Sequence, residues 1–80
     1  MYVITAEVQY SDNSDYIKSF LSYDEYADWG WGKENATFYS TLEEAETEEL
    51  AVINGDNPVN DYYVGVKNVT IQRVELFDIS

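Results

Sequence analysis

The sequence predicts an α+β fold: a small, mostly antiparallel β-sheet with one α-helix, over about 41–53, packed on one of its faces. Two observations carry that expectation. Residues 2–10, YVITAEVQY, alternate with the two-residue period of a strand, and an acidic segment bearing helix-capping residues stands between stretches of strand formers. The chain has 80 residues, enough for one domain over 1–80 with a thin core. Thirteen of them are aromatic, and such side chains bury much area per residue, so a chain this short assembles a core in spite of its charge.

Taking the elements in order, residues 2–10 place Tyr2, Ile4, Ala6, Val8 and Tyr10 on one face, nearly all apolar. The other face carries Val3, Thr5, Glu7 and Gln9, so the first face is expected to be buried. SDNSD at 11–15 is a turn cluster whose Asn and Asp side chains bond their own backbone. YIKSFLSY, 16–23, fits helical and extended spacing alike, and the short turn before it favours a hairpin partner for the first strand. DEYADWGWGKEN, 24–35, reads as a polar loop with aromatics and two glycines, and ATFYS, 36–40, as a short strand.

Ser40 with Glu43 and Thr41 with Glu44 both have capping-box spacing, and glutamates in a first turn suit the helix dipole. Asn54-Gly55 is a stop signal, and Pro58 prevents continuation. At 100° per residue Leu42, Ala45, Val52 and Ile53 share an apolar arc, from which Glu43, Glu44, Thr47 and Glu48 point away. Glu49 falls inside that arc and Glu46 at its edge, an untidy border for a purely solvated face. DYYVGV, 61–66, is then expected as a strand, Lys67-Asn68 as a tight turn, and VTIQRVELFDI, 69–79, as a closing strand. In that last stretch the apolar parity changes at Gln72-Arg73, which a β-bulge or partial cover on both faces would explain.

Composition removes several functions. With no Cys and no His there are no disulfides, no thiolate or imidazole chemistry and no zinc site of the Cys/His type. The lack of disulfides and of a basic, apolar leader leads us to expect a cytoplasmic location, and no stretch has the apolar length of a membrane span. Sixteen acids against Lys18, Lys33, Lys67 and Arg73 give a net charge of −12, which repels nucleic acid and anionic membranes. Oxygen-rich turns at 12–15 and 54–57 lack the spacing of a calcium loop, and no phosphate loop, nucleophile elbow or dinucleotide fingerprint is present. We therefore expect neither enzyme activity nor a cofactor or metal.

The same charge points to a basic protein partner. Five glutamates over residues 43–49 span roughly 9 Å of helix, about one charge per 2 Å, near the roughly 1.7 Å of duplex DNA. The loop ahead of the helix mixes Asp24, Glu25 and Asp28 with Trp29 and Trp31, and aromatics anchor interfaces while carboxylates steer a basic surface inward. The candidate partner-binding residues are thus Asp24, Glu25, Asp28, Trp29, Trp31, Glu43, Glu44 and Glu48. The alternative is a solvated helix face with both tryptophans in the core, in a small structural or assembly module whose acidity maintains solubility. A homodimer is compatible with either.

At ATFYSTLEEAE, 36–46, the strand followed by a capped helix resembles segments of small bacteriophage proteins. The small, Cys-free, strongly acidic profile also resembles phage-encoded DNA-mimic inhibitors of restriction, repair or CRISPR enzymes. That resemblance implies an inhibitor occupying the nucleic-acid-binding groove of a host enzyme in the host cytoplasm. It assigns no role to any single residue.

Overall fold

A computed structural model describes residues 1–23 and 26–75 of the chain. Four strands, β1 (Tyr2–Gln9), β2 (Ile17–Tyr23), β3 (Ala27–Gly30) and β4 (Gly65–Arg73), form one antiparallel sheet in the order β3-β2-β1-β4. One helix, α1 (Leu42–Asn54), lies between β3 and β4 in sequence and packs over β1 and β4. The fold is α+β, with the single helix on one face of the sheet.

β1 explains this arrangement. Ile4, Ala6 and Val8 are buried on the helix face, and they meet Leu21, Trp29, Val52 and Val59 in the main core. The β1–β2 hairpin pairs Val8 with Ile17 and Thr5 with Phe20, so 16–23 resolves as extended. The opposite face is not fully solvated, because Val3 and Val74 are buried there with Ala36 and Phe20 and Phe38 pack against them. That second cluster accounts for the parity change near Gln72 without a bulge at that point; Leu76 and the rest of the closing stretch lie outside the described residues.

A bulge does occur in β4, four residues earlier, at Asn68. Thr5 pairs with Thr70 and Glu7 with Lys67, so Ala6 of β1 stands opposite two residues of β4, Asn68 and Val69. Asn68 takes up the extra length with φ 56°, a left-handed conformation that its short polar side chain tolerates, and that side chain bonds the Glu7 carboxylate. The expected turn at Lys67-Asn68 is therefore a bulge inside a continuous strand.

Three other segments differ from expectation. The 24–35 loop contains β3, which adds Trp29 to the sheet opposite Leu21. ATFYS is not a strand: Tyr39 makes one bridge with Tyr2, and the chain turns into α1 three residues later. DYYVGV is not a strand from its start: a 3₁₀ helix that begins at Pro58 runs into it as far as Tyr62, and β4 begins only at Gly65.

α1 begins and ends where its caps place it. Thr41 Oγ1 accepts from the Glu44 backbone N–H at 3.2 Å and donates to the Glu44 carboxylate at 3.1 Å. Gly55 ends the helix with φ 86°. Only Ala45 and Val52 of its predicted core arc are buried, whereas Leu42 and Ile53 are exposed. The helix is rotated so that Glu48 and Glu49, with Ala45 and Val52, make its inner side.

Candidate functional site

Because α1 covers β1 and β4, the far side of the sheet at β3 needs separate cover, and the Pro58–Tyr62 3₁₀ helix supplies it. β3 is an edge strand, and an unpaired edge invites association. Here the Trp29 backbone N–H donates to Tyr63 Oη at 2.9 Å, and the Tyr63 hydroxyl donates back to the Trp29 carbonyl at 3.4 Å. The Trp29 indole Nε1–H donates to Asn60 Oδ1 at 2.9 Å. Asn57 caps the 3₁₀ helix by accepting from the Val59 N–H, and its Nδ2 donates to Glu48 Oε2 at 2.8 Å, which ties the segment to α1.

Between the β2–β3 hairpin and this 3₁₀ helix lies a cleft of about 470 Å³ lined chiefly by Tyr23, Tyr26, Tyr62 and Tyr63, with Asp28 and Pro58. Tyr26 is 74% and Tyr62 78% exposed, so their rings present their area to solvent and not to the core. Burial first, and the nearby Asp28 charge in smaller part, push the Tyr63 hydroxyl above its usual 10.0, with the Trp29 backbone bond opposing. Next to the cleft Tyr39 is pushed up to about 12 by burial, then by Glu48 and Tyr23.

The candidate residues do not gather into one patch. Trp29 is buried, and its hydrogen bonds hold the β3 edge, so it is a core residue and not a partner contact. Trp31 is exposed and packs edge-on against Tyr10, just beyond the C-terminal end of β1. Glu43 and Glu44 stand in the first turn of α1, soon after Tyr39 bridges Tyr2 at the other end of that strand. Eight residues of strand separate those ends, roughly 26 Å. Asp28 lines the cleft and Glu48 is held by Asn57 behind it, half-buried where it was expected to point away. Asp24 and Glu25 lie outside the described residues. Tyr23 and Tyr26 flank the acidic, aromatic loop already singled out in the sequence, whereas Tyr62 and Tyr63 were missed because nothing local links them to it; the fold brings the two pairs together.

Lys18 and Lys67 stand on the sheet face away from α1, where Lys18 donates to Gln72 Oε1 at 3.0 Å and Lys67 lies 4.1 Å from the Tyr16 ring centre. Among the described residues the one ion pair is Arg73 with Glu75, at 3.7 Å and exposed. Glu43, Glu44 and Glu46 on the outer side of α1 are exposed and form no ion pair among the described residues. Among the described residues no group of three or more acids is placed to hold a metal ion, and no helix has the length and apolarity to cross a membrane. Comparison with protein-family models, curated proteins and solved structures finds no significant match.

Proposed function

We propose that this chain is a non-catalytic, acidic protein-binding module that inhibits a nucleic-acid-binding enzyme by setting the outer face of α1 into its basic groove. The observation that supports this is the uncompensated helix: Glu43, Glu44 and Glu46 face solvent while Lys18 and Lys67 are engaged on the opposite side. A helix arranged for stability alone gains a few tenths of a kcal/mol from each Glu–Lys pair at i,i+4 and loses as much from like charges. α1 has no basic residue to form such a pair. Its carboxylates are then available to take the place of phosphates. Within this reading the finer identity is a DNA mimic of the phage-encoded kind, acting in the host cytoplasm on a CRISPR, restriction or repair nuclease.

The second reading, assembly through a sheet edge, draws on β4, a nine-residue strand at the end of the sheet. Its Asn68 bulge and its Lys67 and Arg73 side chains blunt that edge, as proteins do to prevent pairing. The inhibitor reading is therefore preferred.

The test is capture of partners from host lysate at low and high salt, with duplex DNA as competitor. Kinetics follow for the parent and for Glu43→Gln, Glu44→Gln, Glu46→Gln combined. We expect duplex DNA to displace the partner. In the triple variant, with an unchanged circular dichroism spectrum, association slows several-fold and its salt dependence flattens. A folded triple variant with parental affinity, or a partner indifferent to DNA, refutes the proposal.

A further inference from the structure

We infer that the tyrosine cleft between the β2–β3 hairpin and the Pro58–Tyr62 3₁₀ helix receives an arginine or lysine side chain from a basic protein segment. The inference rests on the basic-partner reading above and adds the place where one cationic side chain is seated.

Three observations lead there. Tyr26 and Tyr62 are among the most exposed large side chains described, and they stand on the two walls of one cleft together with the half-exposed Tyr23. Single exposed aromatics need no explanation, but a group of them around one concavity marks a contact surface. The polar lining is one-sided in charge. Asp28 supplies a carboxylate, Asn57 is bonded to Glu48 behind it, and among the described residues no Lys or Arg lines the cleft. Tyrosine faces attract a cation through the ring quadrupole, and a carboxylate at the rim completes the cage that such a cation occupies.

Other occupants fit less well. A nucleic-acid base would stack on the rings, yet its phosphates would meet a chain of net charge −12. A purely apolar group would leave Asp28 facing it without compensation. A guanidinium meets both requirements, because its plane stacks on aromatic rings while its edge donates to a carboxylate.

The test uses a peptide with one cationic side chain, acetyl-Gly-Gly-Arg-Gly-Gly-amide, against its neutral citrulline analogue. Both are titrated into the whole chain at physiological salt and followed by amide chemical shifts. We expect the arginine peptide to shift residues 26–28 and 58–63, and the citrulline peptide to bind at least about 3-fold more weakly. Asp28→Asn and the double variant Tyr26→Ala, Tyr62→Ala should each weaken the arginine peptide by about 2- to 10-fold. The helix triple Gln variant should hold it within about 2-fold once salt screens long-range steering. Equal binding of both peptides overturns the inference, as does an oligosaccharide such as cellotetraose producing the same shifts. Shifts that follow α1 and survive the cleft variants overturn it too, while leaving the acidic-helix proposal standing. Retained arginine-peptide binding in the helix variant supports the cleft.

Discussion

Tyr39 bridges Tyr2 just before α1, half-buried, with Glu48 of the helix and Tyr23 of β2 close by. Burial first and the two neighbours second push its hydroxyl from 10.0 to about 12. The sign of the consequence is fixed by which state ionises first. An unfolded chain loses the Tyr39 proton near pH 10, while the folded chain keeps it until about pH 12. The stabilisation is complete below pH 10 and is lost as pH rises through about 12. Urea midpoints should therefore fall with pH in that window, and Tyr39→Phe should show a shallower fall than the parent. Glu48→Gln should recover only part of the difference, since burial is the larger cause. Identical alkaline slopes in the parent and Tyr39→Phe would remove Tyr39 from this account.

Among the elements, β4 depends on one backbone conformation. Asn68 at φ 56° lets Val66 and Val69, three positions apart, both turn toward the main core. Asn68→Gly keeps that conformation available and should change stability by less than about 1 kcal/mol. Asn68→Val places a branched side chain in the left-handed region, at a cost of about 1–2 kcal/mol; both variants lose the bond to Glu7, so their difference reports the backbone conformation alone. Urea denaturation of the two variants decides; a Val variant as stable as the parent would mean that the bulge is not needed. The same residue shows what was legible beforehand. That Asn68 marks an interruption could be read from its type, but whether it ends a strand or bulges within one depends on the Glu7–Lys67 pairing across the sheet. β1, the hairpin, and α1 with Thr41 and Gly55 as its caps were legible because periodicity and capping are local. The rotation of α1 and the short strand β3 were not, because tertiary contacts fix both: Asn57 holding Glu48, and Asn60 with Tyr63 holding Trp29. Of the candidate site, Asp28 and the outward Glu43 and Glu44 were legible, whereas the cleft is made by two segments about 35 residues apart, a separation that local sequence patterns do not encode.

For the molecule as a whole, a net charge of −12 on a body with a 12.2 Å radius of gyration means that its carboxylates repel one another across its full width. The screening length at 0.1 M salt is about 10 Å, comparable to that radius, so salt should relieve much of the repulsion. Melting temperature in low salt should be higher at about pH 5.5 than at pH 8, with a smaller gap in about 0.5 M salt. A melting temperature that climbs steadily toward pH 8 would show favourable carboxylate contacts outweighing repulsion.

The pairing of β1 with β4 has a consequence for how the chain is made. β1 lies at the middle of the sheet, and one of its two neighbours is the last strand described. About 55 residues separate Gln9 from Gly65, and a ribosome adding roughly 5–20 residues per second needs about 3–11 s to supply them. Throughout that interval Val3, Ile4 and Val8 have the β2 hairpin on one flank and an open edge on the other. A nascent chain halted before Gly65 should be cut readily by protease within β1, and one extended past Arg73 so that β4 can pair should resist. Closure of the described sheet therefore waits on β4, and β1 keeps one open edge until β4 has been made.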